Sequence, residues 1–150
     1  MRLYHYTSLY SLQKILKDGV LKTTCSNLLK PIKPHFKDGA LVDITDSYKP
    51  VIWFTTVSDF QKAKGCGIIG GAYDKTEVAI AVEITAQKFY KWTEWAKRNN
   101  IEKTWFEALK QTAPLWNTFY VTEKPIIIHP DNPEIIFRPD MYEELKKGLT

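Results

Sequence analysis

Few residues in this sequence are equipped for chemistry, and most have an ordinary alternative. The histidines His5, His35 and His129 and the cysteines Cys25 and Cys66 show no metal-ligand spacing, so no metal site is expected and the cysteines read as reduced structural residues. Two carboxylates stand out. Glu123 lies in Thr122-Glu123-Lys124-Pro125, just ahead of the apolar run Ile126-Ile127-Ile128. Glu83 ends a strand-like segment on the face that also carries Ala79 and Ala81, where a ligand could come close. A carboxylate fixed in a low-dielectric site can stabilise developing positive charge or accept a proton. Taken singly, His5 in a terminal strand is a structural group, Trp53 in an apolar strand is a core residue, and Glu123 before Lys-Pro is a solvated turn. The run Gly65-Cys66-Gly67-Ile68-Ile69-Gly70-Gly71 lacks the Gly-Lys-Ser/Thr ending of a P-loop and any Rossmann context, so its glycines read first as turn makers.

The elements that must position these groups follow from patterning. The 150 residues suit one domain with one core, and the apolar fraction of 44% is ordinary for a folded chain. Leu3–Tyr6 reads as a first strand, and Ser8 as the N-cap of a helix with Leu9, Leu12, Ile15 and Leu16 on one face and Gly19 at its C-terminal end. Val20-Leu21 begins another extended piece. Residues 24–50, with Pro31, Pro34, Gly39 and Pro50, read as a long connection over a site. Residues 51–55 form a strand, and Ser58 is placed as the cap of a short helix through Lys64. Residues 78–85 form the clearest strand, because Val78, Ile80, Val82 and Ile84 alternate with Ala79, Ala81 and Glu83. Helices are expected over 86–98 and 102–112, packed by their tryptophans. Strands are expected at 119–121, 126–128 and 134–137, and a last helix from Met141 to Lys147 with Asp140 as cap. Strands and helices do not alternate regularly, which favours an α+β fold with mostly antiparallel sheet. No apolar run is long enough to span a membrane and no signal-peptide pattern opens the chain, so a cytoplasmic protein is expected. The formal charge of +4 is carried mostly by lysine, which permits an acidic partner.

Three segments together resemble one family. Leu3-Tyr4-His5-Tyr6-Thr7-Ser8, the capped helix, and the turn Ile15-Leu16-Lys17-Asp18-Gly19-Val20-Leu21 resemble the first motif of ADP-ribosyltransferases. The likeness is to the histidine-bearing branch of diphtheria-toxin-like enzymes and poly(ADP-ribose) polymerases. Pro50 followed by Val51-Ile52-Trp53-Phe54-Thr55-Thr56-Val57-Ser58 looks like the second motif, with Trp53 where the family usually has tyrosine. Glu123 is the best-placed match for the catalytic glutamate beside a late strand.

The resemblance implies a split sandwich of two mostly antiparallel sheets with flanking helices, in a single domain over residues 1–150. It implies NAD as substrate and no metal. His5 would bind a ribose hydroxyl, the backbone of Tyr6 the nicotinamide carboxamide, and Thr7 would offer a hydroxyl nearby. Trp53 would stack on the nicotinamide ring, and Ser58 would supply the hydroxyl after the aromatic strand, with Thr55, Thr56 and Gln61 as rivals. Glu123 would stabilise the oxocarbenium-like transition state and orient the ribose, with Glu83 as the rival carboxylate. Arg2 is a candidate for a pyrophosphate oxygen, against a bland role as surface charge. The implied reaction is single ADP-ribose transfer to a macromolecule, protein or nucleic acid, as in a toxin, phage effector or defence component. Three alternatives stand beside it. One is a NAD-dependent RNA 2′-phosphotransferase, which needs several arginines where this chain has Arg2, Arg98 and Arg138. The others are a NAD glycohydrolase and a non-catalytic nucleotide- or protein-binding module.

Overall fold

The structure, a computed structural model, describes residues 1–23, 35–37, 40–42, 49–66, 74–101, 103–129 and 133–141. It is α+β, and its strand pairings are antiparallel. The chain runs β1 (Arg2–Thr7), α1 (Leu9–Asp18), β2 (Val20–Leu21), β3 (His35–Lys37), β4 (Ala40–Val42), β5 (Ile52–Thr55) and α2 (Phe60–Ala63). It continues through β6 (Val78–Glu83), β7 (Tyr90–Lys91), α3 (Trp92–Arg98), α4 (Lys103–Thr112), β8 (Phe119–Thr122), β9 (Ile126–Ile127) and β10 (Glu134–Phe137). Six strands form the main sheet in the order β10-β6-β1-β5-β8-β7, while β2 pairs with β9 and β3 with β4.

Both faces of the main sheet are covered, which explains why β6 buries Val78, Ala79, Ile80, Ala81 and Val82 alike. Its large residues Val78, Ile80 and Val82 pack with Leu3, Ile52, Phe54 and the α1 residue Leu12. Its small Ala79 faces Tyr6 and the α2 residue Ala63 on the other side. A second apolar cluster on the β5–β8 half joins Val51, Phe119 and Val121 to Trp92, Trp95 and Ala96 of α3. Period-2 alternation thus sends β1, β5 and β6 side chains into different cores.

The first helix follows its sequence closely. The Ser8 side chain accepts from the Ser11 amide, and Gly19 closes the helix at φ 69° with its N–H on the Ile15 carbonyl. That left-handed conformation is why glycine stands there. Three expectations need correction. Asp59, not Ser58, caps α2, because its carboxylate accepts from both the Gln61 and Lys62 amides. Residues 84–86 are a 3₁₀ turn where the expected strand already ends at Glu83, and residues 90–91 are the edge strand β7 rather than the start of a helix; α3 begins at Trp92. The connection before Pro50 contains the β3–β4 pair. Residues 139–141 are helical, so Asp140 lies inside the first turn, and the rest of that helix, like the glycine run from Gly67 on, lies outside the described residues. No helix among the described residues is long and apolar enough to cross a membrane.

Candidate functional site

The main sheet nearly divides between β1 and β5. On its β6 side, β1 is paired along its whole length, from Arg2↔Glu83 to Thr7↔Val78. On its β5 side it keeps one pair, Tyr4↔Thr55. The Ile84 amide bonds the Met1 carbonyl, which sets the odd residues of β1 as those exchanging hydrogen bonds with β6. The even residues, Tyr4 and Tyr6, therefore aim their N–H and C=O at β5. By the same alternation, the Thr56 amide on the Thr118 carbonyl turns Trp53 and Thr55 toward β1. The next rung would join Tyr6 to Trp53, and the strands part before it. The N–H and C=O of Tyr6 and the N–H of Trp53 face this seam.

His5 fills part of the gap. Its Nδ1 lies 2.8 Å from the Trp53 carbonyl oxygen, and its ring meets Phe54 with centroids 5.7 Å apart. A carbonyl can only accept, so Nδ1 carries the proton. Burial pushes the imidazole pKa down, against the smaller raising effect of the Trp53 carbonyl, so the ring is neutral near pH 7. Nε2 is then an unprotonated acceptor, the group needed to receive a hydroxyl proton. The same burial makes a stability prediction. A base whose folded pKa lies below its ordinary 6.5 binds fewer protons folded than unfolded. Its contribution is complete above the ordinary value and is lost as pH falls through the depressed one. Urea unfolding midpoints are expected to drop as pH falls below the ordinary 6.5, with a flatter profile for His5→Gln. Identical profiles for the two proteins would remove His5 as the buried base.

The other candidates divide. The Trp53 ring lies on the α3 side of the sheet, 5.8 Å from the Trp92 ring and 6.0 Å edge-on to Phe119; it is half-buried, so it is neither wholly core nor free. Tyr6 sends its side chain to the α2 side, where its hydroxyl donates to the Val57 carbonyl at 2.6 Å and ties β1 to the segment after β5. Burial pushes the Tyr6 phenol well above its ordinary range, followed by the charges of Cys66, Tyr4 and Asp59. Thr7 is buried at the end of β1. Ser58 is exposed, between β5 and the α2 cap. Its rival Thr55 is committed elsewhere: its hydroxyl meets that of Thr118 at 2.7 Å and accepts from the Val57 amide.

Glu123 follows β8 and leans toward α3. Its Oε1 accepts from the buried Trp95 indole Nε1 at 3.0 Å and lies 4.0 Å from Lys49 Nζ. The indole bond decides its orientation. A hydrogen bond to a charged group contributes about 1.5–3 kcal/mol, whereas an exposed lysine at that range contributes about 0–1 kcal/mol. Among the described residues Oε2 has no partner. Gln87 holds the same turn, since its Nε2 donates to Thr122 Oγ1 at 2.6 Å and to the Lys124 carbonyl at 2.9 Å. Sequence reasoning missed Trp95 and Gln87 as site residues; Trp95 reads as core, and nothing in the sequence pairs it with a residue 28 positions away.

The structure thus brings the His5 side chain and the backbones of Tyr6 and Trp53 to one seam, while the Trp53 ring packs on the opposite, α3 face of the sheet. Glu123 follows β8, which β5 separates from β1, with its side chain turned toward α3. No contact joins His5 to Glu123 among the described residues; His5 packs toward the α1 core and Glu123 toward α3. Glu83 is at the opposite end of β1, paired with Arg2 and the N-terminal amine. Arg2 is occupied by Glu83 and Glu134, Arg138 by Asp74 and Asp140, and Arg98 lies over the Tyr90 ring, so all three arginines are engaged away from the seam. Among the described residues no cluster of histidine, cysteine and carboxylate could hold a metal. Comparison with protein-family models, curated proteins and solved structures returned no match.

Proposed function

We propose that this chain is a mono-ADP-ribosyltransferase that cleaves NAD, releases nicotinamide and transfers ADP-ribose to a macromolecular acceptor, protein or nucleic acid. The interrupted rung between β1 and β5 carries the reading. Beyond the last β1–β5 pair, the N–H and C=O of Tyr6 are the donor and acceptor that a carboxamide needs, and the Nε2 of a neutral His5 can accept from a ribose hydroxyl. The near-division of the sheet into β10-β6-β1 and β5-β8-β7 supports an ADP-ribosyltransferase-like split sandwich.

In this reaction the bond between the ribose C1′ and the nicotinamide nitrogen breaks, and its electron pair leaves with nicotinamide. Positive charge builds on the ribose. Glu123, oriented by an indole and with one oxygen unoccupied among the described residues, would stabilise that charge and accept from a ribose hydroxyl. The acceptor nucleophile then bonds to C1′ and gives up its proton to Glu123 or to water. The Trp53 ring would lie along the nicotinamide, where flat aromatic surfaces gain from stacking. Of the other expected contacts, Thr7 remains a candidate hydroxyl, while exposed Ser58 offers only a solvent-side one.

The separation of His5 from Glu123 by one strand favours a second reading, a nucleotide-binding module without turnover. An RNA 2′-phosphotransferase is disfavoured by the three engaged arginines, since phosphate clamps of that kind need several free ones. One experiment separates these readings. The protein is incubated with NAD labelled in its adenylate half and a mixture of protein, DNA and RNA. Label in one fraction, with equimolar nicotinamide, is the expected result. Nicotinamide without labelling indicates a glycohydrolase, and saturable NAD binding with neither indicates the module.

A further inference from the structure

We infer that Trp95 is a positioning residue, whose indole N–H holds the Glu123 carboxylate in the orientation that turnover requires. This rests on the assignment of Glu123 given above. Trp95 sits in α3, fully buried against Val51, Phe119 and Val121, so its ring is fixed by packing before any ligand arrives. Its one polar atom donates to Glu123 Oε1 at 3.0 Å. Its neighbour Trp92, one helical turn earlier, buries an indole N–H that finds no acceptor among the described residues. The pair on one helix face is therefore not placed by polar satisfaction alone, and Trp95 is the member aimed at the acidic side chain.

Glu123 stands just past the end of a strand, where a side chain ordinarily swings freely. Here the turn is held from two directions. Thr122 Oγ1 donates to the Lys88 carbonyl at 2.9 Å, and Gln87 spans Thr122 and Lys124, so the backbone on both sides of Glu123 is tied to the segment leading into β7. Trp95 then fixes the side chain itself. Oε1 serves as the anchor, which leaves Oε2 as the atom that meets the ribose. Trp92 of the same helix touches the Trp53 ring, whereas the Trp95 indole N–H and the Gln87 amide act at Glu123 and its turn.

The test compares Trp95→Phe, which keeps an aromatic ring and removes the N–H, with Gln87→Met, which removes both amide hydrogen bonds to the Glu123 turn at a half-buried position. Nicotinamide release is followed per mole of folded protein. Trp95→Phe is expected to lower kcat by about 10²-fold with KM for NAD unchanged, the scale of a misplaced catalytic group. Gln87→Met is expected to lower kcat by a smaller factor in the same direction. Adding Trp95→Phe to Glu123→Gln should cost nothing further, since the two act as one unit. In spectra of protein labelled at tryptophan, the Trp95 indole N–H resonance should move upfield in Glu123→Ala while the resonances of distant tryptophans stay in place. An active wild type whose Trp95→Phe variant keeps full kcat, or whose Trp95 resonance ignores Glu123→Ala, overturns the positioning role alone. A wild type that releases no nicotinamide overturns the enzymatic reading, and the positioning role with it.

Discussion

Glu123→Gln is expected to lower nicotinamide release from NAD by about 10²–10³-fold, the usual loss when one preorganised electrostatic stabiliser is removed from a transition state. The substitution is chosen because it removes charge and little else. A glutamine carbonyl still accepts from the Trp95 indole, so the buried donor keeps its partner. The bond weakens from the charged class to the neutral class, a difference of about 1 kcal/mol. The Lys49 contact at 4.0 Å adds little, because the lysine is two-thirds exposed. Against a typical stability of about 5–15 kcal/mol the variant should remain folded, so thermal unfolding and release assays can be read independently. Affinity for NAD should change far less than rate, since the carboxylate meets charge that develops only as the bond breaks. A Glu123→Gln protein that turns over at the wild-type rate would exclude this carboxylate from the mechanism. Glu83, the other carboxylate considered, would gain nothing from that result, because it lies at the far end of β1 in a cluster with Arg2.

The second large effect concerns stability. Trp92→Ala is expected to cost about 3–5 kcal/mol, the range for truncating a large aromatic in a packed core. Trp92 is fully buried, stacked on Phe106 at 4.8 Å and tilted against Trp53 at 5.8 Å, so its removal opens a void between α3, α4 and β5. With about 2–4 °C of melting temperature per kcal/mol for a chain of this size, the midpoint should fall by about 6–20 °C. Trp92→Phe separates ring from polar atom. Because the Trp92 indole N–H is buried without an acceptor among the described residues, phenylalanine removes an unsatisfied donor along with some volume. An unpaired buried donor costs about 1–3 kcal/mol. Trp92→Phe should therefore destabilise by much less than a cavity of that size would alone. A Phe variant as unstable as the Ala variant would mean that the indole N–H has an acceptor after all.

The residues nearest in sequence were the most legible. Ser8, Leu12, Ile15 and Gly19 encode a cap, an apolar face and a stop within twelve residues, and α1 has those bounds. Each signal is local, between groups three or four positions apart, so one helix satisfies all of them without help from the rest of the chain. The alternation in β6 was equally plain, although its alanine face proved buried as well. Between Ile84 and Lys91 the reading failed, because two-residue strands such as β7 have no period to detect; Tyr90 and Lys91 become a strand only by pairing with Val121 and Tyr120. The α2 cap went to Asp59 rather than Ser58 for a related reason, since both are capping residues and only the angle at which the chain leaves β5 chooses between them.

By itself, then, the sequence determined an α+β chain of mostly antiparallel strands, its first helix, its strongest strands, and a short set of groups with the right chemistry. Those are properties of composition and of period, and both are carried by neighbours along the chain. Tertiary structure alone decided where β1 and β5 part, which tautomer His5 adopts, and which side chain grips Glu123. Each depends on atoms brought together across 28 to 51 positions of sequence. Hydrogen bonds over such separations form only after packing has closed the intervening loops, so no local pattern announces them.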